Sequence, residues 1–237
     1  ASGYVKDVGV VADVRALCDA IAVRLRAREP WADSVFRLGP AVRARLAADP
    51  ATSAGIGLAG AVGEAWGARG PVLCDMAVAG YWVGGYASIG APRRLQYPVG
   101  WGTLGYALPA SVGAAHAGAG PVLVVCGDGG AAMAVGELAT LAQERLPVTV
   151  LVVDDGGYGM LRYDQRVAGH AERGVDLAGP DWVALAAAYG IGAEVPADTG
   201  PGLRAALERA AQAGAPRLVL VRAALHPPRT TSPRWSE

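Results

Sequence analysis

The chain has 237 residues, 52% of them hydrophobic, enough to bury a full core in one domain with an N-terminal extension. Its 21 basic and 21 acidic residues cancel, and no long basic run is present, so the expectation is no nucleic-acid partner. Cys18, Cys74 and Cys126 are too few for a disulfide framework and too far apart for a metal knuckle, and neither a signal peptide nor a membrane-spanning segment is visible, which points to the cytoplasm and to no membrane partner.

In chain order, Val8-Gly9-Val10-Val11-Ala12-Asp13 leads into an amphipathic helical pattern that ends near Arg28. Residues 29–53, with Pro30, Pro40 and Pro50, read as a linker region. Residues 54–67 then read as a helix, 71–74 as a strand ending at Asp75, and 111–117 as part of a helix of small residues. The apolar run 121–126 reads as a buried strand that stops at Gly127-Asp128-Gly129, residues 131–145 as a helix, and 148–153 as a second buried strand that ends at Asp154-Asp155. Residues 181–189 predict a helix, 193–195 a short strand, 203–213 a helix and 217–221 a last strand. Such alternation predicts an α/β fold, a parallel sheet flanked by helices on both faces.

Parallel strands deliver their C-terminal ends to one edge of the sheet, so Asp128 and the pair Asp154-Asp155 should meet where such folds bind ligands. Two hard oxygen donors at one edge suit Mg2+, which is held by one or two carboxylates together with phosphate oxygens and water. Gly127, Gly129 and Gly130 let backbone approach phosphate closely, beside the free amides at a helix start. A competing pattern, Gly55-Ile56-Gly57-Leu58-Ala59-Gly60 with Asp75 downstream, spells a dinucleotide fingerprint. The strand that must precede it is missing, because Asp49-Pro50-Ala51-Thr52-Ser53-Ala54 reads as turn and cap residues.

Gly-Asp-Gly followed after 24 residues by two acidic residues resembles the thiamine diphosphate signature of 2-oxo acid decarboxylases and acetolactate synthase-like enzymes. The resemblance covers about residues 54–225 and is sharpest over 101–160. It implies that Asp128 and Asp155 ligate Mg2+ by their side chains, that Gly157 adds a carbonyl, and that Gly127, Gly129 and Gly130 line the diphosphate. Tyr158-Gly159-Met160 would follow the metal turn into the site, with Met160 and Leu161 as substrate-facing candidates. The segment Trp101-Gly102-Thr103-Leu104-Gly105-Tyr106 resembles the part of the family that props the bent cofactor. Leu104 stands in the place of the wedge, and the Gly102 carbonyl in the place that accepts from the aminopyrimidine. The family usually has Asn-Asn where this chain has Asp154-Asp155, so the expectation is retained metal binding with a stronger dependence on Mg2+.

Family members are more than twice as long, with pyrimidine-binding, middle and diphosphate-binding domains. By that resemblance residues 1–53 correspond to the end of the middle domain and a linker, 54–225 to the diphosphate-binding domain, and 226–237 to a tail too rich in proline for a helix. No match is found for the glutamate that the pyrimidine domain supplies. Glu64 and Glu137 lie in helices of the wrong domain. The chain is therefore expected to be either one subunit of a split enzyme, in a dimer of such pairs or larger, or a C-terminal part of a longer chain lacking its N-terminal half. The uncharged stretch of residues 95–127 and the apolar stretch 77–86 should divide between core and an obligate interface.

The implied reaction is decarboxylation of a small-molecule 2-oxo acid, followed by protonation or by addition to a second carbonyl. Aliphatic Met160-Leu161 favours an acetolactate synthase-like carboligase. A non-oxidative decarboxylase and a non-catalytic assembly subunit stay open, as do substrate identity and any flavin bound through a middle domain. Arg162, Tyr163, Asp164, Gln165 and His170 read either as binders of a substrate carboxylate or as exposed helix residues.

Overall fold

The computed structural model describes residues 9–26 and 32–229. The chain forms two compact units, residues 1–41 and 42–237. In the first, helix α1 (Val14–Ala22) is capped by Asp13, whose carboxylate accepts from Ala16 N at 3.0 Å. Helix α2 (Ala32–Ala48) runs from the first unit into the second and contains Pro40. Much of the segment expected to be a linker is thus helical. Its alanines and arginines favour that state strongly enough to absorb one interior proline. Pro30 and most of the tail expected at 226–237 lie outside the described residues.

The second unit continues with α3 (Ser53–Trp66), β1 (Val72–Cys74), α4 (Val78–Tyr86), β2 (Leu95–Gln96), α5 (Ala107–His116), β3 (Val122–Gly127), α6 (Asp128–Met133) and α7 (Glu137–Gln143). After these come β4 (Val148–Asp154), α8 (Gly159–Val167), α9 (Trp182–Ala188), β5 (Gly192–Glu194), α10 (Pro201–Gln212) and β6 (Arg217–Arg222). All neighbouring strands pair in parallel, in the order β2-β1-β3-β4-β6-β5. Side chains alternate between two cores. Leu123, Val125, Leu151 and Val153 pack with α3, α4 and α10 on one face. Val122, Val124, Val150 and Val152 pack with α5, α7 and α9 on the other. With both faces covered, these strands carry continuous apolar runs, and each fully buried side chain contributes about 1.5–3 kcal/mol.

Besides α2, one helix departs from the sequence expectation. The single helix expected over 131–145 is two short helices, α6 starting at Asp128 and α7 at Glu137. Val135 and Gly136 are poor helix formers, and tight turns Glu137 N→Ala134 O (3.0 Å) and Leu138 N→Val135 O (3.1 Å) occupy the break. Residues 77–86, expected to be core and interface, form α4, with Val78, Ala79, Trp82 and Val83 buried. The Gly-rich pattern at 55–60 lies inside α3. A Cβ at Gly55 would fall 2.2 Å from the Trp82 ring, so this glycine serves helix packing and not nucleotide binding.

Candidate functional site

The sheet order reverses direction beside β1. From β1 the chain goes outward to β2 and then returns past it to β3. Ligands in open parallel sheets gather outside the carboxyl ends of the strands at such a switch point. A cleft of about 300 Å³ lies there. It is lined by Met76, Ala77, Val78 and Ala79 after β1, by Gly127, Asp128, Gly129 and Gly130 after β3, and by Asp155 and residues 157–161 after β4. Gly102 and Leu104 close one side, Tyr81, Ala223 and Leu225 another. Every site residue expected from the sequence is in this lining: Gly102, Leu104, Gly127, Asp128, Gly129, Gly130, Asp155, Gly157, Tyr158, Gly159, Met160 and Leu161.

The acidic groups here differ in how they are satisfied. Asp128, the first residue of α6, is 2% exposed, and neither carboxylate oxygen has a hydrogen-bond partner among the described residues. Burial first, and the nearby Asp154 second, push its carboxyl above the usual range. The amides of Gly129 and Asp155 offset part of this without closing a hydrogen bond. Asp155 is pushed up to about 6, by burial first and by Asp128 second, with Arg162 opposing. Asp154 turns back to accept from Gly156 N at 3.1 Å. A buried carboxylate without a partner is costly. A hard cation at Asp128 and Asp155 would remove that cost. Among the described residues no three His, Cys, Asp or Glu side chains form a metal cluster. That fits a cation that draws its remaining ligands from carbonyls, water and a bound phosphate, as Mg2+ does.

The glycines let the walls of the cleft pack closely. A Cβ on Gly129 would fall 2.7 Å from the Tyr158 ring, one on Gly130 2.2 Å from Asp75 Oδ2, one on Gly157 2.0 Å from the Val175 carbonyl, and one on Gly159 1.9 Å from Asp155 Oδ2. The turn after β4 is bolted from outside by Tyr158 N→Val175 O (2.7 Å) and Leu177 N→Gly156 O (2.9 Å).

Asp75 is the residue whose role the sequence reading missed. It is 1% exposed, and its carboxylate accepts from Gly105 N and Tyr106 N at 2.9 Å each and from Ala107 N at 2.8 Å. Burial outweighs these three bonds and raises its pKa. Asp75 thus holds the first turn of α5, and with it the Gly102 to Leu104 approach, against the end of β1. Gly105 permits this with φ at +73°. The three successive amides of Gly105, Tyr106 and Ala107, with a buried acid at a strand end, are a weak sequence signal, because the partners lie 30 to 32 residues apart.

Arg162 is not aimed at the cleft. It donates to the carbonyls of Asp155 (3.3 Å) and Gly156 (3.2 Å) and pairs with Asp176. Gln165 bridges the backbone of Arg173, Tyr163 stacks edge-on against His226, and Asp164 and His170 are exposed. Glu64 pairs with Arg204 at 2.9 Å on the surface. Neither it nor Glu137 lines the cleft. The buried Pro227 and Pro228 start the tail after buried Leu225, and His226 O accepts from Trp82 Nε1 at 2.8 Å. Trp101, at 90% exposure, and Val99, at 63%, show apolar surface on the loop before Leu104. No helix among the described residues is long and apolar enough to cross a membrane.

A parallel sheet with a glycine-walled cleft at its switch point, edged by carboxylates, defines an α/β ligand-binding domain. Residues 75–221 match the model of the thiamine pyrophosphate enzyme C-terminal TPP binding domain. The chain belongs to this family of thiamine diphosphate-dependent enzymes, and contains its C-terminal domain. It is 35% identical over 202 residues to a probable 2-ketoarginine decarboxylase of Pseudomonas aeruginosa, covering 82% of this chain and 36% of that protein. It is also 33% identical over 113 residues to a probable acetolactate synthase large subunit of Methanococcus aeolicus, covering 46% of this chain and 19% of that one. A solved thiamine diphosphate-dependent 4-hydroxybenzoylformate decarboxylase of Rhodococcus jostii superposes with a TM-score of 0.65 at 27% identity, over 73% of this chain and 33% of that one. The chain therefore spans about a third, or less, of the length of these relatives.

Proposed function

We propose that this chain is the diphosphate-binding part of a thiamine diphosphate-dependent, acetolactate synthase-like carboligase acting on a 2-oxo acid, completed by a pyrimidine-binding region on a partner polypeptide or elsewhere in a longer chain. Residues 54–225 would form the binding domain, 1–53 the end of a middle domain with its connection, and 226–237 a tail. The observation that carries the reading is Asp128, a buried carboxylate with two unpartnered oxygens beside Asp155 in a cleft walled by glycine. Asp128, Asp155 and the Gly157 carbonyl would hold Mg2+, and Gly127, Gly129 and Gly130 would admit the diphosphate. Thiamine diphosphate held there would supply a carbon nucleophile for the carbonyl of the 2-oxo acid. Leu104 would support the folded cofactor from one side, and the Gly102 carbonyl would accept a hydrogen bond that orients its aminopyrimidine. Met160 and Leu161 would exclude water and give no proton, which favours addition to a second carbonyl.

Simple decarboxylation is a second reading, favoured by the long match to a probable 2-ketoarginine decarboxylase. Titration calorimetry of the chain with thiamine diphosphate, with and without Mg2+, tests the binding, and product analysis of the completed enzyme separates the readings. Binding that needs Mg2+ and is lost in Asp128→Ala, with an acyloin or 2-hydroxy-2-oxoalkyl acid as product, supports carboligation. A free aldehyde as the product would establish the decarboxylase. No binding with or without Mg2+ would leave a non-catalytic assembly subunit.

A further inference from the structure

The turn after β4 crowds negative charge. Asp154 and Asp155, at the end of β4, share one edge of the sheet with the buried Asp128 at the end of β3. Arg162 projects from the first turns of α8, its side chain 17% exposed, with Nη1 3.8 Å from Asp155 Oδ2. It also donates to backbone: Nη1 to the Asp155 carbonyl at 3.3 Å and Nη2 to the Gly156 carbonyl at 3.2 Å. From the far side it is held by Asp176, with Nε to Oδ1 at 3.1 Å, and by Glu172 at 4.0 Å. A planar guanidinium can hold several acceptors in one fixed arrangement, which an ammonium cannot. The same turn is strapped by residues 175–177, so Arg162 ties the strap and the turn together through Asp176.

We propose that Arg162 is a positioning residue for the Asp155 to Gly157 turn. It fixes the two carbonyls that precede Gly157, so that the turn keeps Asp155 and the Gly157 backbone on the cleft, and it balances the charge of Asp155 against Asp128. This rests on the reading of that turn as the metal-binding loop. It gives a reason why this chain tolerates a carboxylate at 155: the added charge has its own counter-ion within the fold, on the side away from the cleft.

Two measurements test the proposal. The first is the melting temperature without metal or cofactor, at one pH near 7.5, for Arg162→Gln, Asp155→Asn and the double variant. Arg162→Gln should lower it by several degrees, and the loss should shrink by half or more when Asp155 is already Asn. The second is Mg2+-dependent affinity for thiamine diphosphate by titration calorimetry. It should fall at least tenfold in Arg162→Gln and recover in part in Arg162→Lys, which keeps charge without the fork. Arg166→Gln, which removes the neighbouring arginine that pairs with Glu172 at 2.8 Å, should leave affinity within twofold. Additive losses in the melting cycle, or an Arg162→Gln affinity within twofold of the original, overturn the proposal. If no form binds the cofactor, the functional reading falls, and the metal-free melting cycle decides the role of Arg162 by itself.

Discussion

Asp75 offers a graded perturbation with magnitudes that follow from its two oxygens. Oδ1 accepts from Tyr106 N and Ala107 N, and Oδ2 from Gly105 N. In Asp75→Asn the amide oxygen can keep the first two bonds, and the amide nitrogen then faces the Gly105 N–H, donor against donor. Losing one bond and stranding one donor costs about 1–3 kcal/mol. Asp75→Ala strands all three amides at the start of α5 and leaves a small void. It should cost about 3–5 kcal/mol, the range for removing one partner of a buried charged group. For a domain of this size each kcal/mol lowers the melting temperature by about 2–4 °C. Urea unfolding followed by circular dichroism at fixed pH gives both values. An Asn variant as stable as the original, or one less stable than the Ala variant, would show that the three amides do not depend on this carboxylate.

Two further outcomes follow from the same site and a third from α3. Asp128→Asn should raise the stability of the metal-free protein at pH 7.5 by about 1–3 kcal/mol, since a neutral amide there is cheaper to bury than an unpartnered carboxylate; melting with and without Mg2+ and thiamine diphosphate should show a gain from the ligands only with Asp128 intact. The raised carboxyl of Asp155, at about 6, has a defined sign: the folded state holds that proton more tightly than the unfolded chain, so metal-free stability falls as pH rises from about 4 to about 6 and then levels. Denaturation midpoints across that range in a chelator should show the decline, and Asp155→Asn should flatten it; a rise through the same window would contradict the assigned shift. Gly60, with nothing within 4 Å of an added Cβ in α3, should accept alanine with a gain of about 0.5–1 kcal/mol in urea unfolding, which a glycine needed to admit a dinucleotide would not.

The strands were legible because they are buried on both faces, and a continuous apolar run such as Val148 to Val153 bounded by acidic turns has few alternative readings. The cleft was legible for a related reason. Parallel strands carry their ends to one edge, so Asp128 and the pair Asp154-Asp155 could be brought together from spacing, while the choice of Asp155 within the pair came from the family resemblance. Helix α4 was not legible, since Gly80, Gly84 and Gly85 lower helix propensity and the segment has no polar face to set a period. Its helix is imposed by packing, with Trp82 against Gly55 and Gly80 over the Asp75 carbonyl. The break at Val135-Gly136 was visible only as two weak helix formers. The work of Asp75 and Arg162 was hidden because each acts on backbone groups, and a backbone amide leaves no mark on the sequence that recruits it.

Four aspartates stand at the carboxyl ends of three neighbouring strands, and their hydrogen bonds separate their tasks. Asp75 has three amides, Asp154 has the Gly156 amide, Asp155 has Arg162 nearby, and Asp128 has no hydrogen-bond partner among the described residues. A satisfied carboxylate holds structure, and an unsatisfied one in a cleft is poised for a ligand. This ordering makes Asp154 the discriminating test, since it precedes Asp155 in the chain and lies near Asp128 in space. In Asp154→Asn the side-chain oxygen can still accept from Gly156 N, and the charge that raises the Asp128 carboxyl is gone. Stability of the metal-free protein should change by less than about 1 kcal/mol or rise slightly, and Mg2+-dependent cofactor affinity should stay within about threefold, less than 1 kcal/mol. A loss of affinity as deep as that of Asp128→Ala would mean that Asp154 faces the ligand and that the turn presents its first carboxylate, not its second, to the metal.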